Sequence, residues 1–194
     1  MHGVELADSI CWDAHKMMGV PLICSSFIIK RPEVLRQVCS HGKGAHYLLH
    51  PDAEDLDLGH QSLQCGRRND ALKLWLAWKE KGDAGWARMV ERYLDLAIYL
   101  EEMVIDHPRL EIMSSRMWAN VCLCYNPTPG SVPEGINLNE LNIEIRSILI
   151  SNGNFMVSRS NIGEDVVLRP VISNPGVSED TLDELVAEIV QIGD

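Results

Sequence analysis

From Trp86 to Val104 the apolar residues Trp86, Met89, Val90, Tyr93, Ala97, Leu100 and Val104 recur with the 3.6-residue period of a helix that buries one face. That stripe predicts one long amphipathic helix over 84–105, with Pro108 just past its end. Strand-like runs follow at 110–125, then a Pro/Gly-rich loop at 126–135. A helix at about 138–151 shows Leu138, Leu141, Ile145, Ile148 and Leu149 on one side and stops at Asn152-Gly153. Two more strand-like runs, 154–159 and 165–173, lead to a last helix. Ser178 is its N-cap, acidic residues fill its first turns, and Leu182, Leu185, Val186 and Ile189 face inward. Residues 84–194 therefore read as helix–β–helix–β–helix, a self-contained α+β unit.

The part before residue 84 does not read as self-contained. Asp8 to Trp12 looks like a strand end and Leu22–Lys30 like a second strand, short and apolar. Such runs fit a buried sheet whose other strands lie elsewhere. Pro32 suits the first turn of a short helix over 31–38. Residues 39–64 are polar, carry Gly42, Gly44, Pro51 and Gly59, and have no clean period. A loop of that length in a compact chain is usually functional or mobile. Asp70 to Glu80 turns helical through Leu72, Trp75, Leu76 and Trp78, and Gly82 stops it. The expected division is thus 1–83 and 84–194.

With 46% apolar and 23% charged residues, the 194-residue chain has an ordinary globular composition. No apolar run approaches the roughly 20 residues of a membrane span. Its start has no basic segment followed by an apolar stretch, so no secretory signal is expected. The 17 basic against 28 acidic residues, a formal net charge of −11, disfavour nucleic acid and anionic lipid as partners. Together these give a cytoplasmic profile. The six cysteines are too sparse for a disulfide scaffold and read as reduced thiols, most in apolar surroundings such as Ile10-Cys11-Trp12. Cys122-x-Cys124 has no second Cys or His pair at zinc spacing, so no metal is expected.

One stretch carries chemistry. In Trp12-Asp13-Ala14-His15-Lys16-Met17-Met18-Gly19-Val20-Pro21, apolar residues flank a lysine that leaves a strand. A lysine entering a crowded apolar pocket loses hydration, which disfavours the ammonium and lowers its pKa, as carbonyl chemistry requires. The segment Ser9–Leu22 closely resembles the cofactor-lysine segment of the group II pyridoxal-phosphate-dependent amino-acid decarboxylases, the glutamate, cysteine-sulfinate and aromatic amino-acid decarboxylases. The resemblance continues in Tyr47-Leu48-Leu49, in Leu63-Gln64-Cys65-Gly66-Arg67-Arg68 with Leu72-Lys73-Leu74-Trp75, and in Leu168-Arg169-Pro170-Val171-Ile172-Ser173-Asn174-Pro175. Four motifs in the family's order cover nearly the whole chain.

The resemblance implies an α/β architecture: the tail of an aminotransferase-like (fold type I) large domain over 1–83, then a small α+β C-terminal domain over 84–194. It implies pyridoxal 5'-phosphate as cofactor, bound as a Schiff base at Lys16, with His15 helping to hold the phosphate. Asp13 stands where many relatives have Asn, and a carboxylate beside a phosphate repels it, so no phosphate contact is carried over to Asp13. Tyr47 matches a tyrosine on the family's mobile catalytic loop, the proposed acid that returns a proton to the α-carbon after CO2 leaves. Gly66 matches a segment that reaches the neighbouring subunit's cofactor. Arg67 beside it could meet phosphate or simply pair with a carboxylate. Arg169 interrupts an apolar strand, where a guanidinium needs an anionic partner. An internal Asp or Glu would serve, and in the family the matching arginine grips a substrate carboxylate.

The function so implied is decarboxylation of a small acidic amino acid (glutamate, aspartate or cysteine sulfinate) by a homodimeric carboxy-lyase with its site at the dimer interface. Transamination is a further reading that the Tyr47 loop argues against. In relatives a long stretch precedes the counterpart of Met1, with phosphate-binding small residues, a His that stacks on the pyridine ring and an Asp that pairs with its nitrogen. Those motifs are absent here. The alternative is therefore a truncated, non-catalytic or complementing fragment of such a decarboxylase.

Overall fold

The computed structural model describes residues 2–39, 58–64, 66–130 and 135–194. It divides into two compact units, Met1–Glu80 and Lys81–Asp194.

In the first unit, β1 (Ser9–Asp13) and β2 (Ser25–Ile29) form an antiparallel hairpin with Ser9 opposite Ile29 and Asp13 opposite Ser25. The strands pair with each other, and among the described residues no other strand joins them. Sequence reading expected a buried sheet here, yet Phe27 and Ile28 are more than half exposed. The helix α1 (Pro32–Cys39) follows, and a 3-10 turn covers Leu58–Gln61. The long helix α2 (Asp70–Asp106) begins in this unit and continues into the second, but Gly82 leaves helical geometry at φ 63°, ψ 176°. That break is the stop expected at Gly82, since glycine adopts this backbone without steric cost. Before it, Leu72, Trp75, Leu76 and Trp78 are 40–55% exposed, so the apolar face of this stretch is only partly covered.

The second unit is a four-stranded antiparallel sheet in the order β3 (Leu110–Ile112), β4 (Leu123–Tyr125), β6 (Asp165–Arg169), β5 (Ser158–Ile162). Both α3 (Leu138–Asn152) and α4 (Glu179–Gly193) contact β4, and α3 also packs on β5 and β6. The core takes Trp86, Tyr93, Ala97, Leu100 and Val104 from the rest of α2, the stripe read from the sequence. Ile145 and Leu149 of α3 and Leu182, Leu185, Val186 and Ile189 of α4 complete it. Removing one such leucine side chain typically costs about 2–5 kcal/mol. Ser178 caps α4 as expected, accepting from the Thr181 N–H, and Asn137, not foreseen from the sequence, caps α3 by accepting from the N–H groups of Asn139 and Glu140.

One buried polar group ties α3 to the sheet. Asn142, 1% exposed, accepts from the Tyr125 N–H at 2.8 Å and donates to the carbonyls of Tyr125 and Leu138, both at 2.9 Å. Every bond its position demands is made, so burial costs little. The strand expected at 154–159 lies later, at Ser158–Ile162. The turn at Gly163 (φ 60°) pairs Ile162 with Asp165 and fixes the register from there, leaving Met156 88% exposed outside the sheet.

Candidate active-site lysine and its surroundings

The loop joining β1 to β2 is stapled by its own backbone. The Lys16 N–H donates to Asp13 O (3.1 Å), Gly19 N–H to Lys16 O (3.0 Å), Val20 N–H to Ala14 O (3.1 Å) and His15 N–H to Cys24 O (3.2 Å). Gly19 has φ 64°, a left-handed turn that suits glycine. Ala14, Val20 and Cys24 are buried beneath the turn, which leaves His15 half-buried and Lys16 exposed. Lys73, in the first turns of α2, clamps the loop from outside. Its Nζ donates to Pro21 O (3.1 Å) and Ile23 O (2.8 Å) and lies 2.8 Å from Asp70 Oδ1. The Cys24 thiol adds a weak bond to Asp70 O at 3.6 Å.

Lys16 does not sit in a desolvating pocket. Its side chain is 71% exposed and its Nζ lies 2.9 Å from Asp13 Oδ2. The bond to the Asp13 carboxylate holds the ammonium's pKa above its ordinary value, the reverse of the lowering that apolar neighbours led one to expect. The reason is local: the turn places Asp13 and Lys16 three residues apart and facing, while Trp12, Met17 and Met18 do not close over the amine. Asp13 is held below the usual carboxylate range, first by the Ser25 hydroxyl at 2.5 Å and then by Lys16.

His15 uses Nδ1 locally, 2.9 Å from the Cys24 carbonyl and 3.2 Å from the Cys24 N–H. A single nitrogen serves one of these at a time. A protonated Nδ1 donates to the carbonyl, and a bare Nδ1 accepts from the N–H and leaves the hydrogen on Nε2. The second form, or the doubly protonated ring, gives Nε2 a donor for an anion.

Tyr47 is outside the described residues. Gly66 and Arg67 are exposed, and a Cβ built on Gly66 would meet nothing within 4 Å. Arg169 ends β6 in the second unit, and its buried Nε has no hydrogen-bond partner among the described residues. Cys24, Cys39, Cys122 and Cys124 are buried free thiols, whereas Cys11, read as sheltered, is exposed on the hairpin. Among the described residues no cluster of three or more His, Cys, Asp or Glu side chains could hold a metal, and no helix is long and apolar enough to cross a membrane. One residue escaped sequence reading: Lys73, whose only signal was its place inside a family-like motif.

Residues 1–126 match the model of the pyridoxal-dependent decarboxylase conserved domain, and the chain belongs to that family. Among solved structures it is similar to mouse CSAD in apo form, with 26% identity and a TM-score of 0.87 over 100% of this chain and 41% of that one. It is also similar to Rhodiola rosea 4-hydroxyphenylacetaldehyde synthase (26% identity, TM-score 0.82, 98% of this chain and 38% of that one). In fold it matches Oryza sativa TDC with PLP and tryptamine (24% identity, TM-score 0.86, 99% and 40%). The chain thus spans about two fifths of the length of the relatives it matches. The donor set fits the family's cofactor: an accessible primary amine can condense with an aldehyde, and an imidazole edge beside it can meet a phosphate.

Proposed function

We propose that this chain carries the lysine-bearing part of a pyridoxal-phosphate-dependent decarboxylase site that acts on a small acidic amino acid: glutamate, aspartate or cysteine sulfinate. The observation that carries the reading is Lys16, an exposed amine fixed at the tip of a stapled loop within the family's matching region. Lys16 would hold the cofactor covalently through Nζ, His15 would hold its phosphate through Nε2, and the Gly66 segment would reach a second subunit's site in a homodimer. The bound cofactor supplies an electron sink for the pair left on the substrate's α-carbon when CO2 departs. Asp13 keeps Lys16 as an ammonium, so the amine must release a proton before it attacks a carbonyl. Tyr47 would return a proton to the α-carbon.

Arg169 supports a substrate carboxylate. In a chain of net charge −11 its side chain has no hydrogen-bond or ion-pair partner among the described residues, although its Nε is buried. A cation placed in this way favours an external carboxylate. The names of the similar structures cover more than one substrate, and every amino acid carries an α-carboxylate, so the choice of an acidic one is decided by the CO2-release test and not by Arg169 or by likeness. A cytoplasmic enzyme is the setting this reading assumes.

A second reading is a complementing fragment that needs further polypeptide to build its pocket. The exposed apolar residues of the first unit favour it: Leu6, Leu22, Phe27, Ile28, Leu63 and Trp75 are 55–81% accessible, more than a free-standing surface usually displays. The test is CO2 release from carboxyl-labelled glutamate, aspartate and cysteine sulfinate, with the chain alone and co-expressed with the additional segment of a relative. Release that Lys16→Ala abolishes supports decarboxylation, and release only on co-expression supports the fragment reading. No release from any of the three under either condition overturns the assignment.

A further inference from the structure

Three irregular features meet at one end of the second unit's sheet. Leu123 of β4 pairs with Leu168 of β6, the Val121 N–H donates to Pro170 O at 3.2 Å, Asn120 bridges Val171, and the Ile172 N–H donates to Ala119 O at 2.9 Å. This is one continuous antiparallel register that runs past the ends of both strands and sets Cys122 opposite Arg169. Directly opposed residues share a face, as do residues two apart along a strand, so Asn120, Cys122, Arg169 and Val171 lie on the same side. Asn120 and Arg169 are then diagonal neighbours.

Each holds a buried polar atom without a partner among the described residues: Oδ1 of Asn120 and Nε of Arg169. A donor and an acceptor one register step apart that do not satisfy each other are unusual, because buried polar atoms rarely stay unpaired. The third feature is the adjacent turn. Met117 and Asn120 exchange backbone hydrogen bonds (3.3 and 3.1 Å), and between them Trp118 sits at φ 56°, a left-handed conformation that a bulky side chain resists. Strain kept beside orphaned polar groups is the pattern of a ligand site.

We propose that Asn120 is a second substrate-binding residue, which with Arg169 reads the two oxygens of one substrate carboxylate. This rests on the reading of Arg169 as the carboxylate-binding residue. The guanidinium donates to one oxygen, and the Asn120 amide, turned about χ2 to present its N–H groups, donates to the other. A ligand without a carboxylate leaves both groups unpaired, which is how a polar site rejects the wrong partner. Aspartate at 120 would pair with Arg169 internally and shut the ligand out.

The test is NMR on the 15N-labelled 194-residue chain, following the Arg169 Nε–H and the Asn120 side-chain amide during titration with glutarate, with neutral glutaramide as control. Both signals shift with glutarate and not with glutaramide. Asn120→Leu, close in shape, weakens glutarate binding about tenfold or more, and Asn120→Asp abolishes it. If Arg169 responds but Asn120 does not, or Asn120→Leu binds as the parent chain does, the role of Asn120 is wrong and that of Arg169 survives. If neither signal moves at saturating glutarate, both are wrong. Titration of the unaltered chain separates these outcomes even if a variant folds poorly.

Discussion

Lys73→Met removes the clamp on the loop that presents His15 and Lys16. Two bonds from the ammonium, at 2.8 and 3.1 Å, are lost from the carbonyls of Ile23 and Pro21, as is the contact with Asp70. Hydrogen bonds from charged groups are worth about 1.5–3 kcal/mol when well sheltered. Lys73 is 26% exposed and both carbonyls belong to exposed residues, so the low end applies, and the exposed ion pair adds little. A net cost of about 1–2 kcal/mol raises the open population of the loop roughly 5- to 30-fold. Native-state amide exchange on peptides spanning 14–24 reads this directly, because the His15 and Val20 amides are bonded only while the loop is closed. Lys73→Arg, which keeps a cationic donor, should restore most of the protection. Unchanged exchange in the Met variant would refute the view that this clamp adds to the loop's own turns in holding the lysine in place.

Other outcomes follow from the same geometry. Asp13→Asn takes away the carboxylate that raises the Lys16 pKa, so neutral amine forms at lower pH; the pH profile of reductive aldehyde labelling at Lys16 should move downward. Gly193→Ala places a Cβ 2.6 Å from the ring of Tyr125, which is 1% exposed and bonded to Asp194, and should destabilise the second unit by about 1–3 kcal/mol in urea unfolding. Cys124, whose thiol is pushed up to about 12 by burial and by the nearby Glu111 and Asp165, should resist alkylation at mildly alkaline pH in the folded chain, while exposed Cys11 reacts.

The second unit was legible because its helices bury one face each. The 3.6-residue stripe of α2 and the inward side of α4 are set by local period, and packing only had to agree with it. In α3 the period was right but the centre of the face was missed: Asn142, not Leu141, is the buried residue, because a backbone pair on β4 needed an amide. The β5 boundary was missed because Phe155 and Met156 look strand-like while the Gly163 turn decides the register. In the first unit, sequence reading singled out Lys16 but did not foresee its electrostatics. A run of apolar neighbours says nothing about whether a turn folds a carboxylate back onto the amine, and Asp13 does so here. Lys73 was invisible for a related reason: what it does depends on carbonyls about 50 residues away.

The central claim is that Lys16 is the cofactor lysine. The direct measurement is to incubate the chain, with and without the co-expressed segment of a relative, with pyridoxal phosphate, reduce with borohydride, and map the pyridoxyl group by peptide mass spectrometry. One dominant adduct is expected, on the peptide containing Lys16, lost in Lys16→Ala and weakened in Lys73→Met. Labelling spread evenly over exposed lysines, or unchanged in Lys16→Ala, would contradict it.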